Sequence, residues 1–564
     1  MTPPSPPPTL QSLRLRENQL FFFITVLVGV LAGLAAVLFT LAIEWVHRAL
    51  FGLDPGPARL FLVPTVASLL AGVLLATVFP DVRGSGVPQT KAAFRLHGGV
   101  IPFRVPVGKF LMGALCVGSG HSMGREGPSV QIGAGVASAI GQWVGLPAER
   151  VRELVPVGAA GALAAAFNTP VSAVIFALEE IIGDLNAPLI GSTVVASVAS
   201  VMVERSILGN EPLFRVPAYH LMHAAELGAY AALGIIGGVI SVVFCRTLLR
   251  VRRATLTLSA TGKVFLPAAG GALVGLIIIA VPQVMGVGYE YIDQALNGGL
   301  MINTLLVLGA VKIVATLVSY TTGNAGGIFA PSLFIGAMAG GAVGTATHWL
   351  APFPTADPGA YALVGMGALF AGIIRAPLTS VFMIFEITQD YQILVPLMVA
   401  NLMSFLISRY YLPVPIYHAL LAQDGIHLPP SLAADASREW TAGSAMSRAF
   451  VFVSAERPIA DVAAQAPGEA ALVVFVGTAA RVTGFVPHAD LHAAVAQGRG
   501  AEPVRELERA VPEVVWVEAP PRDVLERLAR EDRPVPVVDD GPQGVSVCGV
   551  IRSADVVRYL ATDP

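Results

Sequence analysis

The sequence predicts an all-α polytopic membrane protein that carries a C-terminal α/β tail. Three observations lead to this fold class. Of the 564 residues, 54% are hydrophobic and only 13% are charged, against about 25% charged in an ordinary soluble protein. The charges are uneven, because 29 of the 73 fall in the last 124 residues. Within the apolar part, two blocks of sequence recur 203 and 207 residues further along.

Charge and cysteine usage exclude several classes of protein. A net charge of −3 gives no reason to expect nucleic acid as a partner. Cys116, Cys245 and Cys548 lie too far apart in sequence for a disulfide framework or a metal-binding pattern. The sequence also lacks a nucleophile–base set and a phosphate-binding loop, so an enzyme is not indicated.

The N-terminus predicts a cytoplasmic start followed by a membrane span. Residues 1–17 are rich in proline and are expected to be disordered, without the features of a secretory signal. The apolar run Leu20–Ile43 exceeds the roughly 20 residues that a bilayer requires. Arg14 and Arg16 just before it favour a cytoplasmic N-terminus.

Apolar segments then follow one another as far as residue 412, and several of them are too short to span a bilayer alone. Broken helices at membrane depth persist only inside protein or beside a watery cavity, which is typical of transporters and channels. The predicted segments are Leu60–Phe79, Pro106–Val117, Pro128–Val144, Val155–Phe167, Pro170–Ile182, Leu189–Val203, Ala224–Leu249, Val264–Val281, Ile302–Tyr320, Ile328–Leu350, Ala360–Ile374, Pro377–Ile387 and Ile393–Tyr411.

The repeated blocks indicate two halves of similar design. Residues Gly124–Gly135 (GREGPSVQIGAG) align with Gly327–Met338 (GIFAPSLFIGAM), and Gly158–Glu179 align with Gly365–Glu386. Chance similarity between apolar segments is the alternative, but each block matches at a proline and the second also matches at its final Glu. Paired broken segments in two halves point to a binding site near the bilayer midplane.

Three glycine- and proline-rich junctions could form that site: GSGVP (Gly84–Pro88), GREGP (Gly124–Pro128) and GIFAP (Gly327–Pro331). Each could open a helix, and the free N–H groups at a helix N-terminus favour an anion. A single such junction is usually an ordinary turn. Three junctions, two of them related by the repeat, favour an anion pathway.

Together with PIYHALLAQDG (Pro415–Gly425), these motifs stand in the order found in a known family. Over nearly its whole length the chain resembles the CLC chloride channels and proton/chloride antiporters. The resemblance implies the CLC fold, with two inverted repeats of tilted, often half-spanning helices in membrane lipid. It also implies a homodimer with one pathway per subunit. We assign residues 18–425 to the membrane domain, 426–440 to a linker and 441–564 to the tail.

The resemblance also implies the anion site. Ser85 and Tyr417 would coordinate the central chloride, and the backbone amides of Ile328 and Phe329 would contribute. Glycines in the motifs would let the backbone approach the ion closely. The alternatives are that Ser85 caps a helix and that Tyr417 is a packing residue. The glycines in question are Gly84, Gly86, Gly124, Gly127 and Gly327.

The same resemblance makes Glu126 the gating glutamate, a carboxylate that occupies an anion site and swings away when protonated. Physical chemistry favours that role independently, because a carboxylate and chloride would compete for the same backbone donors. A nearby anion disfavours the ionised carboxylate, so anion occupancy and proton uptake become coupled. The alternative is a local ion pair between Glu126 and Arg125.

A second acid separates antiporter from channel. The antiporters of the family carry an inward-facing Glu at the end of the helix that follows FN-x-P, and Glu180 falls at that position. Its neighbour Glu179 aligns with Glu386 in the repeat, so both are expected to be structural. We therefore expect proton transfer through Glu180 and antiport of chloride and protons. The alternatives are a passive voltage- or pH-gated chloride channel, and an interfacial Glu without a transport role.

Three further residues carry narrower expectations. Ser85 matches the chloride-type pattern of the family. His121 is expected to be a packed or hydrogen-bonded histidine, although it could titrate near neutral pH. Lys109 matches a basic position in the family and is expected to bias the electrostatic potential from a distance.

The tail contains two similar units, about 441–499 and 500–564, which resemble a pair of CBS domains. In relatives such pairs often bind adenine nucleotides, and Asp555 with Ser553 fits that pattern. Asp490 fits less well, because His488 replaces the hydroxyl residue. No cofactor is required for transport. A purely structural or dimerising tail is the alternative, and a membrane-anchored nucleotide sensor without transport is a different class of function. The expected location is a prokaryotic inner membrane, with the N-terminus and tail in the cytoplasm.

Overall fold

The chain separates into two compact units, residues 1–429 and 430–564. In the computed structural model, the described residues run from 10 to 559. Gaps fall at 186–188, 211–212, 215, 218, 220, 427, 429–439, 466–472, 479–480, 511–512, 532–533, 542–543, 553–554 and 557–558.

The first unit is helical. Eight of its described helices are long and apolar enough to cross a membrane, which confirms a multi-pass membrane protein. Two 3-10 turns, Pro80–Val82 and Pro282–Val284, and a π-helical segment, Ala177–Ile182, complete it. The α-helices are α1 Leu10–Phe51, α2 Pro57–Thr77, α3 Val87–Leu96, α4 Arg104–Gly118, α5 Glu126–Trp143, α6 Ala148–Phe167, α7 Pro170–Phe176, α8 Ile190–Leu208, α9 Glu226–Leu256, α10 Ala260–Ala280, α11 Tyr289–Leu296, α12 Ile302–Thr321, α13 Phe329–Leu350, α14 Pro358–Ile374, α15 Pro377–Thr388, α16 Leu394–Tyr411 and α17 Ile416–Gln423.

The first helix begins earlier than the sequence suggests. Residues 1–17 are expected to be disordered, but α1 starts at Leu10. Residues 10–17 contain neither glycine nor proline, so they can continue the helix of the apolar span without a break.

Helices α1–α8 correspond in order to α9–α16, and contacts between equivalent helices show that the two halves are inverted. A Cβ at Gly72 of α2 would meet Val264 and Pro267 near the start of α10, whereas one at Gly275 of α10 would meet Phe61 near the start of α2. The equivalent helices α2 and α10 therefore run antiparallel. This confirms the inverted repeat that the resemblance implies.

Each half repeats one close helix crossing. A Cβ at Gly158 of α6 would overlap the carbonyl oxygen of Gly133 on α5, and a Cβ at Gly365 of α14 would overlap that of Gly336 on α13. Small residues let helix backbones approach closely in membranes. These crossings bury nearly all of α5 and α14 and place the starts of α5 and α13 inside the protein.

Two glutamates are exchanged between the halves. Glu179 accepts hydrogen bonds from the Leu378 and Thr379 amides at 3.2 and 2.9 Å, at the start of α15. Glu386 accepts from the Val171 and Ser172 amides at 2.8 and 2.7 Å, at the start of α7. Each carboxylate caps a helix of the other half. The prediction that both are structural is confirmed.

The tail is an α/β unit in which one order of elements occurs twice: strand, helix, then a hairpin of two strands. β1 pairs parallel with β2 and β5 pairs parallel with β6, while the hairpins β2–β3 and β6–β7 are antiparallel. The strands are β1 Phe450–Val453, β2 Val473–Thr478, β3 Arg481–Val486, β4 Arg509–Ala510, β5 Val515–Trp516, β6 Val535–Gly541 and β7 Gly544–Ile551. The helices are Ala442–Ala445, Ile459–Gln465, His488–Ala496 and Pro521–Glu531, with a 3-10 turn at Val504–Leu507.

The two tail units exchange segments, which the sequence boundary at 499/500 does not anticipate. Trp440 and Ala442 pack into the core of the second unit with Val515 and Val537. Val504 packs into the core of the first unit, and β4 pairs with β3. Each core is therefore completed by residues from the other half of the tail sequence.

Candidate functional site

Three of the predicted motifs meet through backbone hydrogen bonds. Gly124 and Gly327 exchange N–H···O bonds in both directions, each 2.8 Å long. The Gly84 amide donates to the Asn324 carbonyl at 3.2 Å, and the Gly326 amide donates to the Gly84 carbonyl at 3.1 Å. The loops before α3, α5 and α13 are thereby joined into one cluster. Each of these hydrogen bonds joins residues at least 203 positions apart in sequence.

The predicted glycines allow this close approach. Gly86 has φ of 99°, in the region that favours glycine. A Cβ there would lie 2.9 Å from both Gln131 Cβ and the Gly127 carbonyl oxygen. A Cβ at Gly127 would overlap Ser85 Oγ, and a Cβ at Gly124 would overlap Glu126 Oε2. The cluster therefore has no room for side chains at these positions.

Ser85 and Tyr417 place two hydroxyl groups in the same buried region. Both residues are fully buried, and neither Ser85 Oγ nor the Tyr417 hydroxyl has a hydrogen-bond partner within the described part of the chain. The Tyr417 hydroxyl lies beside the Ser85 side chain. A buried hydroxyl without a partner costs about 1–3 kcal/mol. Two such donors fit an anion that accepts a hydrogen bond from each.

Backbone amides at the start of α13 lie beside this region. Ile328 and Phe329 are buried, and the helix begins at Phe329. The first hydrogen bond of the helix runs from the Ser332 amide to the Ile328 carbonyl, at 3.1 Å. The amides that precede it belong to the N-terminal set that an α-helix leaves unpaired. Together with the starts of α3, α5 and α17, they supply positive potential without a free cation.

Glu126 is the first residue of α5 and is fully buried. Its Oε1 accepts a hydrogen bond of 2.5 Å from the Tyr289 hydroxyl, while Oε2 has no partner among the described residues. Arg125 Nε lies 4.0 Å from Oε1, at the limit of an ion pair, and the Arg125 guanidinium lies over the Tyr289 ring. Tyr289, which the sequence did not single out, is therefore the closest partner of the carboxylate.

Glu180 lies in the π-helical segment and is buried in an ion pair. Lys91 Nζ donates to Glu180 Oε1 at 2.8 Å, and the two side chains are 6% and 5% exposed. Lys91 belongs to α3, which begins at Val87 directly after Ser85 and Gly86. Arg95, one turn further, donates to the Ile182 carbonyl at 2.5 Å. We call the loop before α3, residues 83–86, the anion loop. The acid predicted for proton transfer is thus linked to the anion loop through one short helix.

Two buried lysines hold the loops of the two halves. Lys109 Nζ donates to the carbonyls of Val82 and Gly84 at 2.7 and 2.8 Å. Lys312, which lies 203 residues later, donates to the carbonyls of Val284 and Gly286 at 3.0 and 2.8 Å. Lys109 therefore positions the anion loop by direct contact, which is a closer role than the long-range bias expected from the sequence.

His121 is a hydrogen-bonded core residue, as predicted. Its Nε2 lies 2.5 Å from Ser68 Oγ and its Nδ1 lies 3.3 Å from Ser319 Oγ, and the residue is fully buried.

Two cavities approach the cluster. One, of about 480 Å³, is lined by Gly84, Arg83 and Arg252 beside the anion loop. The other, of about 840 Å³, is lined by Asn168 and Arg205 near the ends of α6 and α8. The wall of the first cavity also carries Asp81 and Asp424, and Asp424 pairs with Arg252 at 2.7 Å.

In the tail, the two described candidate nucleotide residues, Asp555 and Asp490, each pair with an arginine. Both carboxylate oxygens of Asp555 accept hydrogen bonds from Arg552, at 2.7 Å from Nε, 2.9 Å from a terminal guanidinium nitrogen and 3.1 Å from the backbone amide. Asp490 pairs with Arg509. Ser553 lies outside the described residues. Both described acids are therefore paired with arginines, and nucleotide binding by the tail stays a prediction.

Comparisons with known proteins cover both units. The family model described as voltage gated chloride channel matches residues 66–409, and the CBS domain model matches residues 504–562. The chain is 32% identical over 413 residues to the H(+)/Cl(-) exchange transporter ClcA of Vibrio campbellii, an alignment that spans 71% of this chain and 88% of that protein.

Two solved structures show the same architecture. The slow cyanobacterial Cl−/H+ antiporter has a TM-score of 0.66 and 27% identity, covering 72% of this chain and 97% of that one. A eukaryotic CLC transporter has a TM-score of 0.67 and covers 96% of this chain and 98% of that one. At 20% identity the second likeness shows the fold alone.

The ion pair between Lys91 and Glu180 yields a stability prediction. Lys91→Met removes the cation and leaves a buried carboxylate uncompensated, which costs about 3–5 kcal/mol. Thermal unfolding of the purified protein in detergent should show a lower midpoint. The loss should shrink as the pH falls, because protonation of Glu180 removes the uncompensated charge.

The matched control is the double variant Lys91→Met/Glu180→Gln, which lacks both charges and should regain most of the lost stability. A single variant that unfolds at the same temperature as the unmodified protein would show that the pair carries no such energy.

Proposed function

The chain belongs to the voltage-gated chloride channel family, the CLC family, and on that premise we propose that it exchanges chloride for protons across a membrane. The observation that carries this proposal is the cluster of helix N-termini around Glu126, Ser85 and Tyr417, whose two hydroxyls have no hydrogen-bond partner among the described residues. The family is one of transporters, and no enzymatic role is proposed.

Chloride is held by dipoles and hydroxyls. The hydroxyls of Ser85 and Tyr417 donate to the ion, as do the backbone amides of Ile328 and Phe329. Lys109 fixes the loop through the Gly84 carbonyl. Its counterpart in the second half of the repeat is Lys312, which lies 203 residues later. Because the site lacks a direct ion pair with chloride, the ion is held without the strong attraction that would slow its release.

Glu126 is the gate. As a carboxylate it occupies the positive region at the start of α5 and competes with chloride. Protonation removes its charge, weakens that attraction and lets the side chain leave, so chloride can take its place. Proton uptake and chloride occupancy are therefore linked in both directions.

Glu180 transfers protons on the other side of the site. It reaches the anion loop through its ion pair with Lys91, whose helix begins at Gly86 and Val87. A proton arriving at Glu180 neutralises the carboxylate and frees the Lys91 ammonium, which raises the positive potential on α3. Exchange is favoured over a passive channel because the relative from Vibrio campbellii and the cyanobacterial neighbour carry the names of Cl−/H+ exchangers.

The remaining features of the proposal follow the family resemblance. The protein assembles as a homodimer with one pathway per subunit, in a prokaryotic inner membrane. The N-terminus and the tail face the cytoplasm, as the two arginines before the first span favour. Transport requires no cofactor, and the tail either serves assembly or holds an adenine nucleotide beside Asp555.

Glu126→Gln should mimic the protonated gate. In liposomes with an outward chloride gradient, chloride efflux should persist while coupled proton movement falls by about tenfold or more. Chloride and pH electrodes recording together would measure both fluxes. Proton movement that continues at the unmodified ratio would remove Glu126 from the mechanism, and the absence of any flux in the unmodified chain would favour a sensor.

Glu180→Gln should keep chloride flux and lose proton coupling, because the amide cannot carry the proton. The matched control is Glu179→Gln at the neighbouring position. Glu179 caps α15, so its loss should reduce stability by about 0.5–2 kcal/mol but leave the ratio of the two fluxes unchanged. The assignment of Glu180 is wrong if its variant still moves protons against their gradient.

A further inference from the structure

A side cavity reaches Tyr289, whose hydroxyl donates to the gating carboxylate of Glu126. It is distinct from the 840 Å³ cavity lined by Asn168 and Arg205, which we call the anion mouth. The side cavity, of about 520 Å³, lies between the end of α1 and residues 282–291. Its charged and titratable lining comprises Glu44, His47, Arg48, Tyr289, Glu290 and Tyr291. Tyr289 is partly exposed there, and its hydroxyl donates to the fully buried Glu126 at 2.5 Å.

The side cavity and the 840 Å³ anion mouth open on the same face of the membrane unit. Gly29 and Gly33 of α1 pack against Ala196 and Ser200 of α8, so these two helices run parallel and end on the same side. The side cavity lies at the end of α1, and the anion mouth at the end of α8. Phe214 lines the anion mouth and packs edge-on against Tyr289 at 5.4 Å.

The two cavities differ in charge. Arg205 lines the anion mouth, and the one acid among its described lining residues, Glu386, has its oxygens taken by the amides at the start of α7. The side cavity carries the exposed acids Glu44 and Glu290, with Arg48 paired to Glu44 at 3.4 Å. A basic wall favours anions, whereas an acidic wall repels them and attracts protons.

The link between cavity and gate is held in place. Lys312 donates to the carbonyls of Gly286 and Val287, at 2.8 and 3.3 Å, and so fixes the loop before Tyr289. Gly288, with φ of 83°, turns the chain into α11. Arg125 lies over the Tyr289 ring, 5.6 Å from its centre. The hydroxyl is therefore aimed at Glu126 by contacts on three sides.

We propose that protons reach Glu126 through the side cavity, with the Tyr289 hydroxyl as the last link, while anions use the basic mouth. This inference rests on the proposed exchange function. In the transfer step the Tyr289 O–H bond breaks as the proton passes to Glu126 Oε1. The Tyr289 oxygen takes a proton from a hydronium ion in the cavity, which becomes water. One proton moves and the tyrosine is restored.

Tyr289→Phe tests this link in liposomes that report chloride and proton flux together. Coupled exchange should slow by about tenfold, because proton delivery becomes limiting. In the Glu126→Gln background, where no proton is needed at the gate, the same substitution should leave chloride flux unchanged. Tyr291→Phe removes a hydroxyl from the same cavity wall and is the matched control, expected to leave both fluxes unchanged.

A second variant tests the cavity. Glu290→Cys in a Cys548→Ser background places an exposed thiol in the wall, since Cys116 and Cys245 are buried. A bulky charged thiol reagent should slow coupled exchange and spare chloride flux when Glu126 is Gln.

Three outcomes would overturn the inference. Tyr289→Phe could slow chloride flux in both backgrounds, which would mean a structural role. It could speed exchange, which would mean a latch on the gate, or leave exchange unchanged. Failure of the proposed function is distinguishable, because the unmodified chain would then show no coupled proton flux.

Discussion

The structure depends on one electrostatic constraint: an anion and a carboxylate must share a buried region whose positive potential comes from helix ends. The starts of α3, α5, α13 and α17 supply it, and Gly124 and Gly327 lock two of them together through paired backbone hydrogen bonds. Because chloride and the Glu126 carboxylate would share the same positive potential, each weakens the binding of the other. Competition between chloride and the Glu126 carboxylate couples chloride binding to proton uptake, which is what exchange requires.

The inverted repeat provides the geometry. Because the two halves have opposite orientations, they bring helix starts to the same depth from both sides. Equivalent parts of the two halves then have different roles. Lys109 and Lys312 hold equivalent loops, but the first loop presents Ser85 and the second leads into Tyr289. The first loop contributes Ser85 to the proposed anion site, and its counterpart positions Tyr289, the hydrogen-bond partner of the gate. Glu179 and Glu386 cap each other's halves, so only Glu180 remains to pair with Lys91.

Much of this was predictable from sequence. Glycine- and proline-rich junctions, the repeat and the position of Glu126 all leave local signals. Helices α3, α11 and α17 leave weak ones, because they are short and buried in protein, so no long apolar run marks them. Lys91–Glu180 and Tyr289–Glu126 join residues 89 and 163 positions apart, and only the folded chain brings them together. Lys312 could have been found from the sequence, because it lies at the position that corresponds to Lys109 in the repeat. The segments exchanged between the two tail units could not be found from the sequence.

Proton uptake on chloride binding is the most direct test of the shared region. The purified protein, in weakly buffered detergent solution, is titrated with chloride while a pH electrode records protons taken up. The account predicts net uptake by the unmodified chain, because chloride displaces a carboxylate that then protonates. Uptake should disappear in Glu126→Gln, which should still bind chloride and should bind it more tightly. Chloride binding by the unmodified chain without any proton uptake would contradict the account.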